Sequence, residues 1–230
     1  MNIIYTAIIG ESDNPAPVPR SAYPCFLISD SDQTLAKAEA EGWVPVKWSH
    51  DWIKEIGARK AARFLKIDIA ALVGVIPHCK DRAIRRSIWI DGSITANKNG
   101  RSLDDLFMLV CEDVPVAMHK HAFVSDLAGE ICAVVEGQKD QLKGLLPQAE
   151  KYWRAGMQQT THFETSCIVR YHAPECLGLC ARWWEEVRHG SPRDQISLPW
   201  AIFASKVKIH PLAGTVYEND YFSIRWHLRS

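Results

Sequence analysis

The sequence has no surplus of either charge. In 230 residues, 27 Lys and Arg stand against 27 Asp and Glu, so no overall attraction to nucleic acid or anionic lipid is expected, and any anionic ligand must be held locally. No run approaches the ~20 apolar residues that cross a bilayer, which excludes an apolar spanning helix. No Cys-x-x-Cys pair occurs, and the seven cysteines are odd in number and mostly lie within apolar stretches; they read as buried thiols of a reducing compartment. The opening apolar run, residues 3–9, stops at Gly10, Glu11 and Asp13 without a basic lead. That is not a secretory leader, and the expected address is the cytoplasm. Gly-x-Gly-x-x-Gly, Walker and Gly-x-Ser-x-Gly sequences are all missing, which argues against dinucleotide oxidoreductases, P-loop enzymes and serine hydrolases. Internal repeats, low-complexity tracts and linkers are missing too, so residues 1–230 read as one domain.

With 47% hydrophobic and 23% charged residues, the chain belongs with ordinary globular proteins and can bury a sizeable core without disulfides or structural metal. Apolar, β-branched runs at residues 2–9, 25–28, 43–48 and 87–90 have strand length, and further strands are expected at 114–118 and 167–170. Apolar residues recurring every three or four positions predict helix over 52–76, with one or two breaks before Pro77. Further helices are expected at 34–41, 102–111, 125–136, 140–156 and 174–188, the last with Pro174 suited to a first turn. Strand and helix alternate over the first half, which predicts an α/β fold with a mostly parallel central sheet flanked by helices. Ligands of such sheets bind beyond the carboxyl ends of the strands.

Asp91 stands there, next to Gly92, and either binds a hard divalent cation or forms an Asp-Gly turn. Arg59, Arg63 and Lys66 share one helical face, where they form a diphosphate-binding stripe or a solvated one. Trp183, Trp184, Glu185, Glu186, Arg193, Asp194 and Gln195 are the residue types that stack on and hydrogen-bond to sugars. Residues 191–194 equally suit the start of a helix, with Asp194 in its first turn. His172, Cys176 and Cys180 at spacings of four lack a fourth metal ligand and read as buried groups. His119 and His121 alternate on a strand end and either face one site or belong to a polar loop. His210 is a lone histidine before Pro211.

In these segments the chain resembles the glycosyltransferase-like family catalogued as domain of unknown function 616. The resemblance covers most of the chain. It runs through Tyr5-Thr6-Ala7-Ile8-Ile9-Gly10, Gly42-Trp43, Ala62-Arg63-Phe64-Leu65-Lys66, Ser87-Ile88-Trp89-Ile90-Asp91-Gly92-Ser93-Ile94, Arg170-Tyr171-His172, Trp183-Trp184-Glu185-Glu186 and Ser191-Pro192-Arg193-Asp194-Gln195-Ile196-Ser197. Departures fall at Glu11-Ser12-Asp13 and at Pro77-His78, which follow Lys66 only after a longer apolar stretch. The resemblance implies a single GT-A-like domain that moves a sugar from a nucleoside diphosphate to an acceptor hydroxyl of a glycan. Thr6 and Ala7 would contact the nucleotide base, and Arg63, Lys66 and Arg193 the diphosphate. Asp91 would hold Mn²⁺ or Mg²⁺ with His210 as a further ligand, although Ser93 occupies the second acidic place. Asp194 and Gln195 would lie beside the anomeric carbon. Bacterial relatives imply surface-polysaccharide assembly. A catalytically inactive sugar- or nucleotide-binding domain, or a hydrolase of the same family, stands as the alternative.

Overall fold

A computed structural model describes residues 1–10, 13–48, 51–79, 83–97, 100–158 and 161–225. Glu11 and Ser12, at one departure from the family pattern, lie outside the described residues. In chain order the elements are β1 (Asn2–Ile8), β2 (Cys25–Ser29), α1 (Asp32–Ala40), β3 (Val44–Lys47), α2 (Asp51–Ile67), α3 (Leu72–Val75), β4 (Arg86–Ile90), β5 (Ile94–Ala96), β6 (Val116–Lys120), α4 (Leu127–Glu136), α5 (Leu142–Arg154), β7 (Phe163–Tyr171), α6 (Pro174–His189), α7 (Asp194–Ser205), β8 (Ile209–Leu212) and β9 (Phe222–Ile224). A seven-stranded sheet has the order β3-β2-β1-β4-β7-β6-β8, and β5 pairs with β9 in a second sheet. All neighbours in the large sheet are parallel except β7, which runs antiparallel to both β4 and β6. This is the expected α/β architecture with a mostly parallel sheet flanked by helices.

The apolar runs become strands because both faces of the sheet are covered, so alternation of polar and apolar residues is not needed. Ile3, Tyr5 and Trp89 pack on one face with α2, α6 and α7. Ile4, Ile8, Ile88 and Ala117 pack on the other with α1 and residues 103–110. The two outermost strands each carry a proline, Pro45 and Pro211, which removes a ladder donor and blunts the edge against pairing with another chain. Among the described residues no helix is long and apolar enough to cross a membrane.

Two glycines set the approach of α2. Gly10 ends β1 at φ 69°, and a Cβ there would lie 2.9 Å from the Ala58 Cβ; the helix can come this close only over a glycine. Gly57 interrupts α2 at φ 80° and ψ 153°, supplying the break expected in that segment. The helix expected at 102–111 is a 3-10 helix, Leu103–Leu109, begun by the Ser102 hydroxyl accepting from the Asp104 N–H. Short side-chain-capped segments of this kind favour the tighter turn. The strand expected at 167–170 begins earlier, at Phe163, and α7 follows the turn-like residues 190–193.

A buried guanidinium ties α2 to the sheet. Arg170, on β7, is 1% exposed and donates to the Tyr5 hydroxyl at 3.0 Å and to the Lys66 carbonyl at 2.7 Å. The Tyr5 hydroxyl donates to the same carbonyl at 3.3 Å, and burial pushes its pKa up to about 12. Tyr5→Phe removes this hydroxyl and should cost about 1–3 kcal/mol, the range for hydrogen bonds involving a charged group, read as a lower urea midpoint at unchanged slope. An unchanged midpoint would contradict the coupling.

Candidate functional site

The carboxyl ends of β1, β4 and β6 and the amino end of β7 meet on one edge of the sheet, where the last turn of α2 and the first turn of α7 converge. Lys66 is the centre of this convergence. Its side chain is fully buried, an arrangement that a cation tolerates only with partners. Lys66 Nζ lies 2.8 Å from Asp194 Oδ2, donates to Asp91 Oδ1 at 3.2 Å and to Thr165 Oγ1 at 2.9 Å, and sits 5.7 Å from the centre of the Trp89 ring. Trp89 Nε1 donates to the same Asp91 oxygen at 2.8 Å. Arg63 Nε stands 3.4 Å from Asp194 Oδ1. The i, i+3 spacing of Arg63 and Lys66 therefore delivers both cations to one carboxylate.

Each element holds its part for a local reason. Asp194 opens α7, where the helix dipole favours a carboxylate. Its carbonyl accepts from the buried Trp183 indole at 2.9 Å. The preceding loop is pinned by Ser191, whose N–H donates to Gln148 Oε1 and whose hydroxyl accepts from the Arg193 N–H, both at 3.0 Å. On β7 a bulge re-aims the strand end: between the pairs Met118↔Ile168 and Lys120↔Phe163, β6 advances two residues and β7 five. Thr165 here meets Lys66 of α2, and Glu164 meets Gln195 of α7.

The electrostatics divide the carboxylates. Burial works against ionised Asp194, but Arg63, Lys66 and Arg193 outweigh it and hold its pKa far below the usual carboxylate range. Burial likewise opposes the charge on Arg63, and Asp194 and Asp91 overcome it, so the Arg63 pKa is raised. Glu164 moves the other way: burial first, then the Glu130 carboxylate, push it up to about 7 against the pull of Lys66. Glu164 Oε2 accepts from Gln195 Nε2 at 3.2 Å, and His121 Nε2 is 3.0 Å from Oε1.

Lys66, Arg63, Asp91, Asp194, Gln195 and Arg193 are thus brought to one place. Arg193 faces Asp194 electrostatically, and its buried Nε has no hydrogen-bond partner among the described residues. Asp91 forms the expected turn, its carbonyl accepting from Ile94 N–H, while its side chain joins the ion network through Lys66. Thr6 and Ala7 are buried neighbours on β1 and point to opposite faces of the sheet: Ala7 packs with the α2 side, and Thr6 lies with Ile8, Trp43 and Gly92 in a crevice too tight for water.

Other candidates fall elsewhere. Arg59 is exposed and donates to the Lys139 carbonyl, away from the cluster. Trp183 and Trp184 are 1% and 7% exposed, so they are core and offer no ring to a sugar. His119 packs on Phe222 with its Nδ1 3.4 Å from the Gly214 carbonyl, whereas His121 lies beside Glu164. Cys176 and Cys180 are buried thiols, and His172 Nε2 is 2.9 Å from the Ser87 hydroxyl. His210 is on β8, three strands from β4, and its register through Ala117 and Val169 to Ile88 turns it to the face opposite Asp91. Three strand spacings alone separate the two by roughly 14 Å.

The divalent cation implied by the resemblance does not fit these residues. Asp91 Oδ1 already receives an ammonium and an indole N–H, Ser93 supplies no second carboxylate, and His210 is on the wrong face. Among the described residues no group of three or more His, Cys, Asp or Glu side chains is placed to hold a metal ion. The charge beside Asp91 is an ammonium instead.

Sequence reasoning passed over Glu164, Thr165 and Glu130. Glu164 lies just before the run at 167–170, and the one signal for it was a carboxylate flanked by Phe163 and Thr165 in a stretch of strand composition.

The model of the TOD1/MUCI70, glycosyltransferase-like domain family matches residues 5–219, and the chain belongs to that family. Among solved structures it is similar to mouse xyloside xylosyltransferase 1 in its apo form, at 10% identity over 92% of this chain and 84% of that one, with a TM-score of 0.46. No curated protein matches.

Asp194→Asn leaves Lys66 and Arg63 short of a counter-charge and should cost about 3–5 kcal/mol at pH 7, the range for breaking a buried pair. Because the folded pKa of Asp194 is depressed, its contribution is complete above the ordinary carboxylate value of about 4 and is lost as pH falls below it. Urea unfolding between pH 3 and 7 should show a flatter acid limb in the variant; wild-type stability at pH 7 would contradict the ion pairing.

Proposed function

We propose that this chain is a glycosyltransferase of GT-A type, a single domain over residues 1–230, which moves a sugar from a nucleoside-diphosphate donor to an acceptor hydroxyl of a glycan. The observation that carries the reading is the charge balance of the site: Arg63, Lys66 and Arg193 face the carboxylates of Asp91 and Asp194. These three cations face the two carboxylates they pair with, and the Arg193 Nε has no hydrogen-bond partner among the described residues. A diphosphate is the ligand class that such a fork of donors suits. Membership of a glycosyltransferase-like family supports the same donor class.

Cleavage of the anomeric bond builds negative charge on the departing diphosphate. Arg193 and Arg63 would take it by hydrogen bonds, and Lys66 would act through the field as a fixed ammonium. Asp194, 1% exposed and engaged by both cations, holds those cations in place rather than touching the sugar. Its neighbour Gln195 orients Glu164. Since the donor set does not suit Mn²⁺ or Mg²⁺, the ammonium and the guanidinium groups carry the charge compensation. Cytoplasmic assembly of surface polysaccharide is the setting in which this activity would serve. Ser93 at the second acidic place also favours a second reading, a nucleotide- or sugar-binding domain without turnover; it keeps the affinity and lacks nucleotide release.

Isothermal titration with UDP and GDP tests the reading. Arg193→Ala should weaken binding about 10- to 100-fold, the equivalent of one charge-assisted hydrogen bond, and EDTA should leave the wild-type affinity unchanged. Equal affinities in the variant and the wild type would remove the diphosphate from this site.

A further inference from the structure

Beside the ion cluster lies a second group of titratable side chains that charge compensation does not use. His121 follows β6, and its Nδ1 accepts the backbone N–H groups of Phe123 and Val124 at 3.2 and 3.1 Å. An imidazole nitrogen that accepts twice carries no proton, so the ring is the neutral tautomer with its hydrogen on Nε2. Burial, the largest influence, lowers the His121 pKa in the same sense. Nε2 lies 3.0 Å from Glu164 Oε1, while Gln195 Nε2 donates to Oε2. Glu164 therefore accepts from the Gln195 amide on one oxygen and has the neutral imidazole close against the other, which leaves lone pairs of both oxygens uncommitted. Gln195 also links it directly to the residue that follows Asp194.

We infer that Glu164, oriented by His121 and Gln195, is the catalytic base that takes the proton of the acceptor hydroxyl. This inference rests on the transferase reading above. The acceptor O–H bond breaks and its proton passes to a Glu164 carboxylate oxygen. The electron pair of that hydroxyl forms the bond to the anomeric carbon. The bond from that carbon to the diphosphate oxygen breaks, its pair remaining on the diphosphate among Arg63, Lys66 and Arg193.

A base at this position has to release its proton near neutrality, and its surroundings provide for that. Glu130 on α4 lies 3.7 Å from His121 Nε2, and His162, ahead of β7, is 3.6 Å from Glu130. The Glu130 charge, with those of Asp91 and Asp194, raises the Glu164 pKa, and Lys66 lowers it. Lys139 acts on His121, and Tyr217, on the loop between β8 and β9, senses the Glu164 charge.

The test uses the full chain with UDP- and GDP-sugars as donors and monosaccharides or water as acceptors, reading nucleotide release across pH 5 to 9, with UDP affinity measured in parallel. In the wild type kcat/KM should rise with pH and level off above about 7. Glu164→Gln should bind UDP as the wild type does, lose about 10²- to 10⁴-fold in turnover, and lose the pH limb. Glu130→Gln removes a negative charge that keeps the proton on Glu164, so its limb should move to lower pH. Wild-type turnover with an intact limb in Glu164→Gln, or an unmoved limb in Glu130→Gln, overturns the base assignment and leaves the transferase reading standing. Failure of the wild type to bind UDP or GDP overturns that reading, and the base with it.

Discussion

A lysine side chain with no exposure to solvent needs counter-charge at close range, because an unpaired buried ammonium costs several kcal/mol, a large share of the stability of an ordinary domain. Lys66 obtains it from the end of β4, the start of α7 and the bulged end of β7 together. Those three elements are remote in sequence, and the lysine is satisfied only when all of them are docked. The network that gathers charge at the sheet edge is thereby also a condition for assembling it. Arg170 strengthens the condition from the other side, holding the Lys66 carbonyl while the ammonium reaches forward.

The same edge sets two carboxylates at opposite ends of the acid–base scale. Asp194 sits within an excess of cations and stays ionised, whereas Glu164, pushed up by burial and then by Glu130, has the Gln195 amide and a neutral imidazole for neighbours and keeps its proton to near neutrality. Separating two acids by environment is how one site provides both a permanent charge and a proton acceptor. A few ångströms decide it: Glu164 at the amino end of β7 lies beside His121, and Asp194 in the first turn of α7 lies beside Arg63.

Much of the sheet could be read in the sequence because its strands are buried on both faces and appear as unbroken apolar runs, as in residues 2–9 and 87–90. The spacing of Arg63 and Lys66 and the place of Asp91 after a strand were legible for the same local reason. What local pattern could not show is pairing. His210 and Asp91 are separated by strand order and by face parity, and neither property is written near either residue. Trp183 and Trp184 have the composition of a sugar platform, yet α6 packs them inward against α2 and α7. Thr165 became visible only once the bulge was placed, since regular alternation from Ile168 would have turned it to the other face and separated it from Lys66.

The central claim, that the cations gathered around Lys66 form a diphosphate site, is tested most directly by a crystal structure of the full chain with UDP or GDP. The account places the two phosphates within hydrogen-bond distance of the Arg193 and Arg63 guanidinium groups, with Lys66 still paired to Asp91 and Asp194. A nucleotide seated away from this edge, with those pairs undisturbed and both arginines untouched, would contradict it.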